Sequence, residues 1–329
     1  MSASPTTRVV RFHQPGAPDV LVVDELPLPP PGPGEARVRH RAIGVNFIDC
    51  YHRSGLYPQP LPGVVGVEGV GVVVDVGAGV GRVKVGDRVA YKTKGPGAYA
   101  DERNVDADRL VVVPDGLDDA TVAAAYVKGL TAEYLACRLH NARAGETAVV
   151  TAAAGGVGQL LVRLLLSRGV RVIAQVGRAE KVDVVVGCGV DRADVVVGVV
   201  DVGAAVRARV ADGVDVAYDS VGLDTFPALL DGVRRRGLFV SYGNASGPVP
   251  PFAPALLSQK GSLFFTRPAL HDWVHDVAEQ DAASAHVFSL LREGTLSLPV
   301  QHTLPLAKAA RAHAMLEARQ TQGALVLIP

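Results

Sequence analysis

The sequence predicts an α/β protein in which a closed or nearly closed β-barrel precedes a doubly wound parallel sheet. Three observations predict it. Residues 8–113 run as short strands separated by regular turn signals. From Thr147 onward, apolar strands alternate with helical segments. Between the first of those strands and its helix lies a glycine-rich turn, Ala152 to Gly158.

In the first part, Arg8 to Phe12 and Val20 to Leu26 read as strands. The proline-rich turn Pro27 to Gly34 leads into Glu35 to Ile43, which alternates small or apolar residues with charge. Val70 to Val76, Arg88 to Tyr91 and Leu110 to Val113 continue the series, with turns such as Gly77 to Gly81 between them. The pattern changes near Pro114. Asp118 to His140 is rich in alanine and leucine and reads as a helix broken near Gly129. Strands are then expected at Ala148 to Thr151, Val170 to Val176, Val214 to Asp219, Leu238 to Tyr242 and Ser262 to Thr266. After Arg267-Pro268 come a helix (Trp273 to Glu293), a strand (Leu298 to His302), a helix (Leu306 to Arg319) and a final strand (Ala324 to Ile328). The valines and glycines of Val182 to Ala205 fit neither a good helix nor a clear strand.

The glycine-rich turn organises the second part. Ala153, Gly155 and Gly158 occupy the three spacing positions of a G-x-G-x-x-G fingerprint, with alanine first. The strand before it, the buried helix from Gln159 and the strand Val170 to Val176 supply the βαβ setting that makes the motif a dinucleotide site. Gly155 lets the backbone approach a pyrophosphate, and Gly158 lets the helix pack on the strand. The free N–H groups of Gly156, Val157 and Gly158 then face the anion. An acidic residue at the end of the following strand would select NAD. Here that strand ends in Gly177-Arg178-Ala179-Glu180-Lys181. The glycine tip removes the carboxylate, and Arg178 and Lys181 offer positive charge to a 2′-phosphate, so NADPH is the expected cofactor. Glu180 opposes this reading, and an ordinary charged helix start is the alternative.

Composition narrows the class. Of 329 residues, 33 are Lys or Arg and 33 are Asp or Glu, a balance that favours neither nucleic acid nor an anionic membrane as partner. Glu68, Asp75, Asp191 and Asp194 interrupt the valine-rich stretches, so no bilayer span is expected. The stretch MSASPTTRVVRF lacks an apolar core, and no signal peptide is expected. Cys50, Cys137 and Cys188 lie far apart, forming neither a disulfide framework nor a zinc knuckle. A reducing, cytoplasmic compartment fits.

Several motifs together resemble the zeta-crystallin-like quinone oxidoreductase branch of the medium-chain dehydrogenase/reductases. They include Gly44-Val45-Asn46-Phe47-Ile48-Asp49, Arg53 to Pro58, Lys128-Gly129-Leu130-Thr131, Ala152 to Gly158, Asp219-Ser220-Val221-Gly222, Gly243-Asn244, Gln259 to Leu263, Thr266-Arg267-Pro268 and Thr321-Gln322-Gly323. The resemblance runs from about Arg8 to Pro329. It implies a GroES-like catalytic domain (1–125), a Rossmann NADP-binding domain (126–267) and a C-terminal return to the catalytic domain (268–329). It also implies a cofactor between the domains and homodimers built by pairing edge strands.

Zinc-dependent relatives hold their metal with Cys and His. At the matching positions this chain has Asn46 and Gly66-Val67-Glu68, so no metal site is expected. Chemistry without a Lewis acid suits an electron-poor conjugated carbonyl such as a quinone. The resemblance places Asn46, Tyr51 and Tyr57 at the nicotinamide end of the site, where an amide and two phenols can bond carbonyl oxygens or stack on a flat ring. Core or turn packing is the alternative for these three. It also implies cofactor contacts from Asn46, Thr131, Ser220, Gly243, Asn244, Arg267 and Arg319. Thr131 as a helix residue bonding backward, Asn244 as a turn residue and Arg267 as a surface arginine are the local alternatives. One departure stands out. Family members often carry a tyrosine near position 196 beside the adenosine phosphate, where this chain reads Asp194-Val195-Val196-Val197.

The expected activity is NADPH-dependent quinone reduction. Reduction of α,β-unsaturated carbonyls and a non-enzymatic crystallin or RNA-binding role are the alternatives. Two further patterns are read as structural. His271 and His275 lie four apart on an expected helix start, and Arg234-Arg235-Arg236 precedes Gly237 at an expected helix end.

Overall fold

A computed structural model describes residues 5–329. These residues form two compact units, one comprising the chain up to Val127 with His275–Arg292 and Leu298–Pro329, the other Lys128–Val274 with Glu293–Ser297.

The first unit is built on antiparallel strands. These are β1 (Thr6–Phe12), β2 (Val22–Pro27), β3 (Glu35–Gly44), β4 (Gly63–Val64), β5 (Glu68–Val76), β6 (Arg88–Lys92), β7 (Glu102–Asp106) and β8 (Leu110–Val112). β3 carries charge on alternate positions, and its Ala36, Val38 and Ile43 are fully buried, as a half-solvated sheet requires. Helix α1 (Phe47–Ser54) follows β3 and ends where Gly55 turns left-handed at φ 82°. The chain passes into the second unit along α2 (Asp119–Glu133). Gly129 does not break this helix as expected. The change comes at Tyr134, where the turns widen into a π-helix over Tyr134–Leu139.

The second unit is a six-stranded, all-parallel sheet in the order β11-β10-β9-β12-β13-β14. Its strands are β9 (Thr147–Val150), β10 (Arg171–Val176), β11 (Val195–Val197), β12 (Val214–Asp219), β13 (Val233–Ser241) and β14 (Phe264–Thr266). Continuous runs such as Ala148-Val149-Val150 are wholly buried, which marks strands covered on both faces. Helix α3 (Gly156–Ser167) buries Leu160, Leu161, Leu164 and Leu165, each contributing about 1.5–3 kcal/mol, and stops where Gly169 takes φ 76°. The unreadable stretch becomes α4 (Val182–Val186), β11 and α5 (Val202–Arg207), elements too short to show a period.

Two structural readings change. Arg234 to Arg236 lie in strand β13 and not at a helix end, with Arg234 Nε 2.6 Å from Asp215 Oδ1. The helix expected over Trp273 to Glu293 is two helices, α6 aside: after α6 (Ala255–Gln259) come α7 (Leu270–Trp273) and α8 (Val277–Arg292). His271 and His275 therefore do not share a helix. The last elements are β15 (Val300–Pro305), α9 (Ala309–Glu317) and β16 (Ala324–Ile328); β15 pairs with β16 and β16 with β3, which completes the seven-stranded sheet of the first unit.

Two buried histidines in the first unit make a prediction. His40 sets Nδ1 2.6 Å from the Ala100 carbonyl and Nε2 2.6 Å from Tyr91 Oη, so the neutral ring satisfies both. His313 lies 3.2 Å from Tyr99 Oη through Nε2, while its Nδ1 has no partner. Burial lowers the pKa of His40 to about 4 and that of His313 to about 3. Both lie below the ordinary histidine value, so the unfolded chain binds more protons between pH 6.5 and 4. Stability is then lost as pH falls through that window, with a slope of up to about 1.4 kcal/mol per pH unit for each histidine. Thermal unfolding at pH 7, 6 and 5 is expected to show a falling Tm, and His313→Phe should flatten the slope.

Candidate functional site

In the first unit the candidate residues gather around the start of α1. Asn46 is its N-cap. The Asn46 N–H donates to Asp49 Oδ2 at 2.8 Å, fixing where the helix begins. Asp49 is fully buried, and its other oxygen accepts the Gly66 N–H at 3.2 Å. The Asn46 amide Nδ2 donates to Glu68 Oε1 at 2.7 Å, and Glu68 Oε2 accepts the Val127 N–H at 3.1 Å. The position where zinc-dependent relatives carry a thiolate thus holds an amide bonded to a buried carboxylate. One turn on, Tyr51 meets Tyr57 edge to face at 5.3 Å between ring centroids and meets Phe47 at 6.2 Å. Asn46, Phe47, Tyr51 and Tyr57 are all half-buried, so the helix start presents an amide and aromatic rings. Arg53 is buried and ion-paired to Glu317, which ties α1 to α9.

In the second unit the candidates collect at the carboxyl ends of the parallel strands, where open α/β sheets bind ligands. Gly155 caps α3 with no side-chain cap, and the first-turn N–H groups of Gly156, Val157 and Gly158 have no intrahelical partner. A Cβ at Gly155 would lie 3.1 Å from the Ala152 carbonyl oxygen, and one at Gly158 only 2.5 Å from it. The missing side chain at Gly158 lets α3 pack close on the loop backbone, and the missing one at Gly155 leaves the uncapped N–H groups of the helix start open to an anion. Asp219 ends β12 fully buried. It accepts Thr151 Oγ1 at 2.7 Å, Thr225 Oγ1 at 2.8 Å and the Gly222 N–H at 3.0 Å. Burial raises its pKa. Thr151 Oγ1 in turn accepts the Ser220 N–H at 3.0 Å, so this network sets the Ser220 backbone beside the glycine loop. After β13, Gly243 and Asn244 follow. With its amide turned to satisfy its neighbours, Asn244 accepts from Arg267 Nη2 at 3.2 Å and donates to the Gly243 carbonyl at 2.9 Å. Arg267 Nη1 also holds the Ser241 carbonyl at 2.9 Å.

Arg178 and Lys181 flank the short turn after β10, Arg178 exposed and Lys181 half-buried. Thr131 is half-buried in α2, and Arg319 is exposed on the turn after α9 at φ 56°. The structure brings Asn46, Tyr51 and Tyr57 together, and separately Gly155 to Gly158 with Ser220, and Gly243 with Asn244 and Arg267. It adds side chains that the sequence reading did not single out for the site: Asp49, Thr151, Thr225 and Gln175. Val196 is buried in β11 opposite Gln175. A dinucleotide fits this set, because the uncapped N–H groups offer anion contacts and Arg178 and Lys181 add cations at the next strand end.

An antiparallel-strand unit and a doubly wound parallel sheet with a fingerprint loop are the two parts of a medium-chain dehydrogenase/reductase. Residues 32–142 match the family model described as alcohol dehydrogenase GroES-like domain, and residues 192–327 match the one described as zinc-binding dehydrogenase. The quinone oxidoreductase of Pseudomonas aeruginosa is 44% identical over 97% of this chain and 99% of its own length. The 2-haloacrylate reductase of a Burkholderia species is 40% identical over 97% of this chain and 98% of its own. The crystal structure of Escherichia coli quinone oxidoreductase complexed with NADPH superposes with a TM-score of 0.94 at 40% identity, covering 98% of this chain and all of that one. The chain belongs to the quinone oxidoreductase family of the medium-chain dehydrogenase/reductases.

Proposed function

We propose that the protein is an NADPH-dependent quinone reductase that works without zinc. The observation that carries the reading is the Asn46–Glu68 hydrogen bond at the position where zinc-dependent relatives hold their metal, on a chain similar throughout to quinone oxidoreductases. When bound, NADPH supplies a hydride. The residues of this chain do the rest. Gly155 to Gly158 hold the pyrophosphate with backbone N–H groups. Arg178 and Lys181 hold the 2′-phosphate. The Thr131 hydroxyl, the Ser220 and Gly243 backbone, the Asn244–Arg267 pair and Arg319 contact the remainder of the cofactor. Tyr51 and Tyr57 stack on the flat acceptor, and their phenols bond its carbonyl oxygens as charge builds there.

The unit that contains the barrel is the catalytic domain, and the parallel-sheet unit binds cofactor. No helix among the described residues is long and apolar enough to cross a membrane. The balanced charge argues against a nucleic-acid partner. Strand β14 ends the parallel sheet with Phe264 63% exposed, an edge suited to pairing with a second copy in a homodimer.

Steady-state oxidation of NADPH with a panel of quinones and α,β-unsaturated carbonyls, with and without a chelator, tests the reading. Quinones should turn over fastest and the chelator should change nothing. Faster turnover of the unsaturated acids and aldehydes would favour the second reading, to which the similarity with 2-haloacrylate reductase gives weight. Loss of activity on chelation together with stoichiometric zinc would overturn the metal-free mechanism.

The aromatic pair has its own test. Tyr51→Ala is expected to lower quinone kcat/KM about tenfold, from the lost ring contact and hydrogen bond, and to change NADPH affinity less than twofold. Fluorescence titration beside turnover separates the two. Equal losses in both would assign Tyr51 to packing.

A further inference from the structure

Gln175 is an amide in strand β10, where every residue but it and the exposed Arg171 is apolar, and it is 1% exposed. A buried primary amide must find partners for both its ends. Its Oε1 accepts the Ala152 N–H at 2.9 Å, and its Nε2 donates to the Gly198 carbonyl at 2.7 Å. The main chain repeats the link: the Ala153 N–H donates to the Gln175 carbonyl at 2.9 Å, and the Gly198 N–H donates to the Val176 carbonyl at 2.8 Å. One side chain thus joins two loops at the carboxyl edge of the sheet, the glycine loop after β9 and the loop after β11.

The two ends matter for different reasons. Ala152 has φ 46°, a left-handed conformation uncommon for a residue with a side chain, and the Gln175 bond holds its N–H there. The Ala152 carbonyl accepts the Gly155 N–H at 2.8 Å and is the atom that a Cβ at Gly155 or Gly158 would meet. The conformation of Ala152 therefore sets the shape of the pyrophosphate cradle. Gly198 lies beyond the end of β11, next to the turn that carries Arg178 and Lys181 after β10. In a doubly wound sheet that side of the glycine loop receives the adenosine half of a dinucleotide.

We infer that Gln175 is a positioning residue that fixes the pyrophosphate loop and the adenosine-side loop relative to one another, and so sets affinity for the adenosine half of NADPH. The inference rests on the NADPH reading above. Gln175→Met keeps the length and apolar stem and removes both bonds. Gln175→Glu keeps an oxygen for the Ala152 N–H and turns the second oxygen against the Gly198 carbonyl.

The experiment measures binding of NADPH by fluorescence titration, binding of 2′,5′-ADP and reduced nicotinamide mononucleotide by competition, kcat at saturating NADPH, and thermal unfolding. Gln175→Met is expected to weaken NADPH and 2′,5′-ADP about tenfold each. The mononucleotide, which lacks adenosine, should change less, and kcat should stay within twofold. Gln175→Glu should show the same ordering of the three ligands, and it decides the matter if the methionine variant does not fold. A folded variant with a lowered Tm but wild-type affinity for 2′,5′-ADP would overturn the inference and leave Gln175 a purely structural residue. Failure of the wild-type protein to bind NADPH would overturn the cofactor reading itself, and this inference with it.

Discussion

Gly155→Val is expected to abolish measurable NADPH binding, a loss of at least about a hundredfold, while the protein stays folded. Gly155 has φ −76° and ψ 171°, a conformation that valine adopts readily, so backbone strain is not the cause. The cause is space. A Cβ there already stands 3.1 Å from the Ala152 carbonyl oxygen, and the branched methyl groups would fill the volume in front of the uncapped N–H groups of Gly156 and Val157. An anion could then no longer reach them. Gly158→Ala should behave differently. Its Cβ would meet the Ala152 oxygen at 2.5 Å and Ala153 Cα at 2.8 Å, all backbone, so the helix must move off the strand and stability falls. Fluorescence titration with NADPH and a thermal melt of each variant check both expectations. Undiminished NADPH binding by Gly155→Val would remove the loop from the cofactor site.

The second large effect is on cofactor choice. Arg178→Ala combined with Lys181→Ala is expected to lower kcat/KM for NADPH about 10- to 100-fold and to leave NADH within threefold. On the proposed reading the two cations would bond only the 2′-phosphate, and charge-assisted hydrogen bonds to a phosphate contribute about 1.5–3 kcal/mol each before solvent weakens them. Arg178 is exposed, so the lower part of the range is the better expectation, and the preference should shrink as salt rises. Glu180, also exposed, does not cancel this charge if it points to solvent. Retention of full NADPH preference by the double variant would place the 2′-phosphate elsewhere.

Much of the architecture was legible because its signals are local. The strand–glycine–helix order of Val149 to Leu165 needs only neighbouring residues to be read, and the barrel shows in the alternation of Glu35 to Ile43. The failures have separate physical causes. Val182 to Ala205 folds into helices of five and six residues and a strand of three, each shorter than the window in which a period can be recognised. Gly129 costs helix propensity, yet its neighbours Val127 and Leu130 are buried, and tertiary packing carries α2 through it. Arg234 to Arg236 resembled a cationic helix end because sequence does not reveal that Asp215 waits on the adjacent strand.

The site divides in the same way. The fingerprint glycines and the amide at position 46 could be named from spacing and from family resemblance. The groups that hold them could not. Thr151 reaches Asp219 across a 68-residue gap that only the fold closes, whereas Asp49 and Thr225 act on Asn46 and Asp219, three and six residues away, through turns whose geometry the sequence does not announce. Gln175 did leave a trace, a single amide among the apolar residues of Val172-Ile173-Ala174-Gln175-Val176. A polar residue in a strand buried on both faces must have partners, and asking where they lie would have pointed to Ala152.

The most direct test of zinc-independent, NADPH-dependent quinone reduction is a single-turnover experiment. The purified protein, treated with a chelator and loaded with NADPH, is mixed with a quinone, and the loss of nicotinamide absorbance is followed with ordinary and with C4-deuterated NADPH. The account predicts rapid oxidation that depends on quinone concentration, slows with deuterium at C4, and is far faster with NADPH than with NADH. NADPH that stays reduced in the presence of quinones, in a protein that oxidises alcohols with NADP⁺ once zinc is restored, would contradict it.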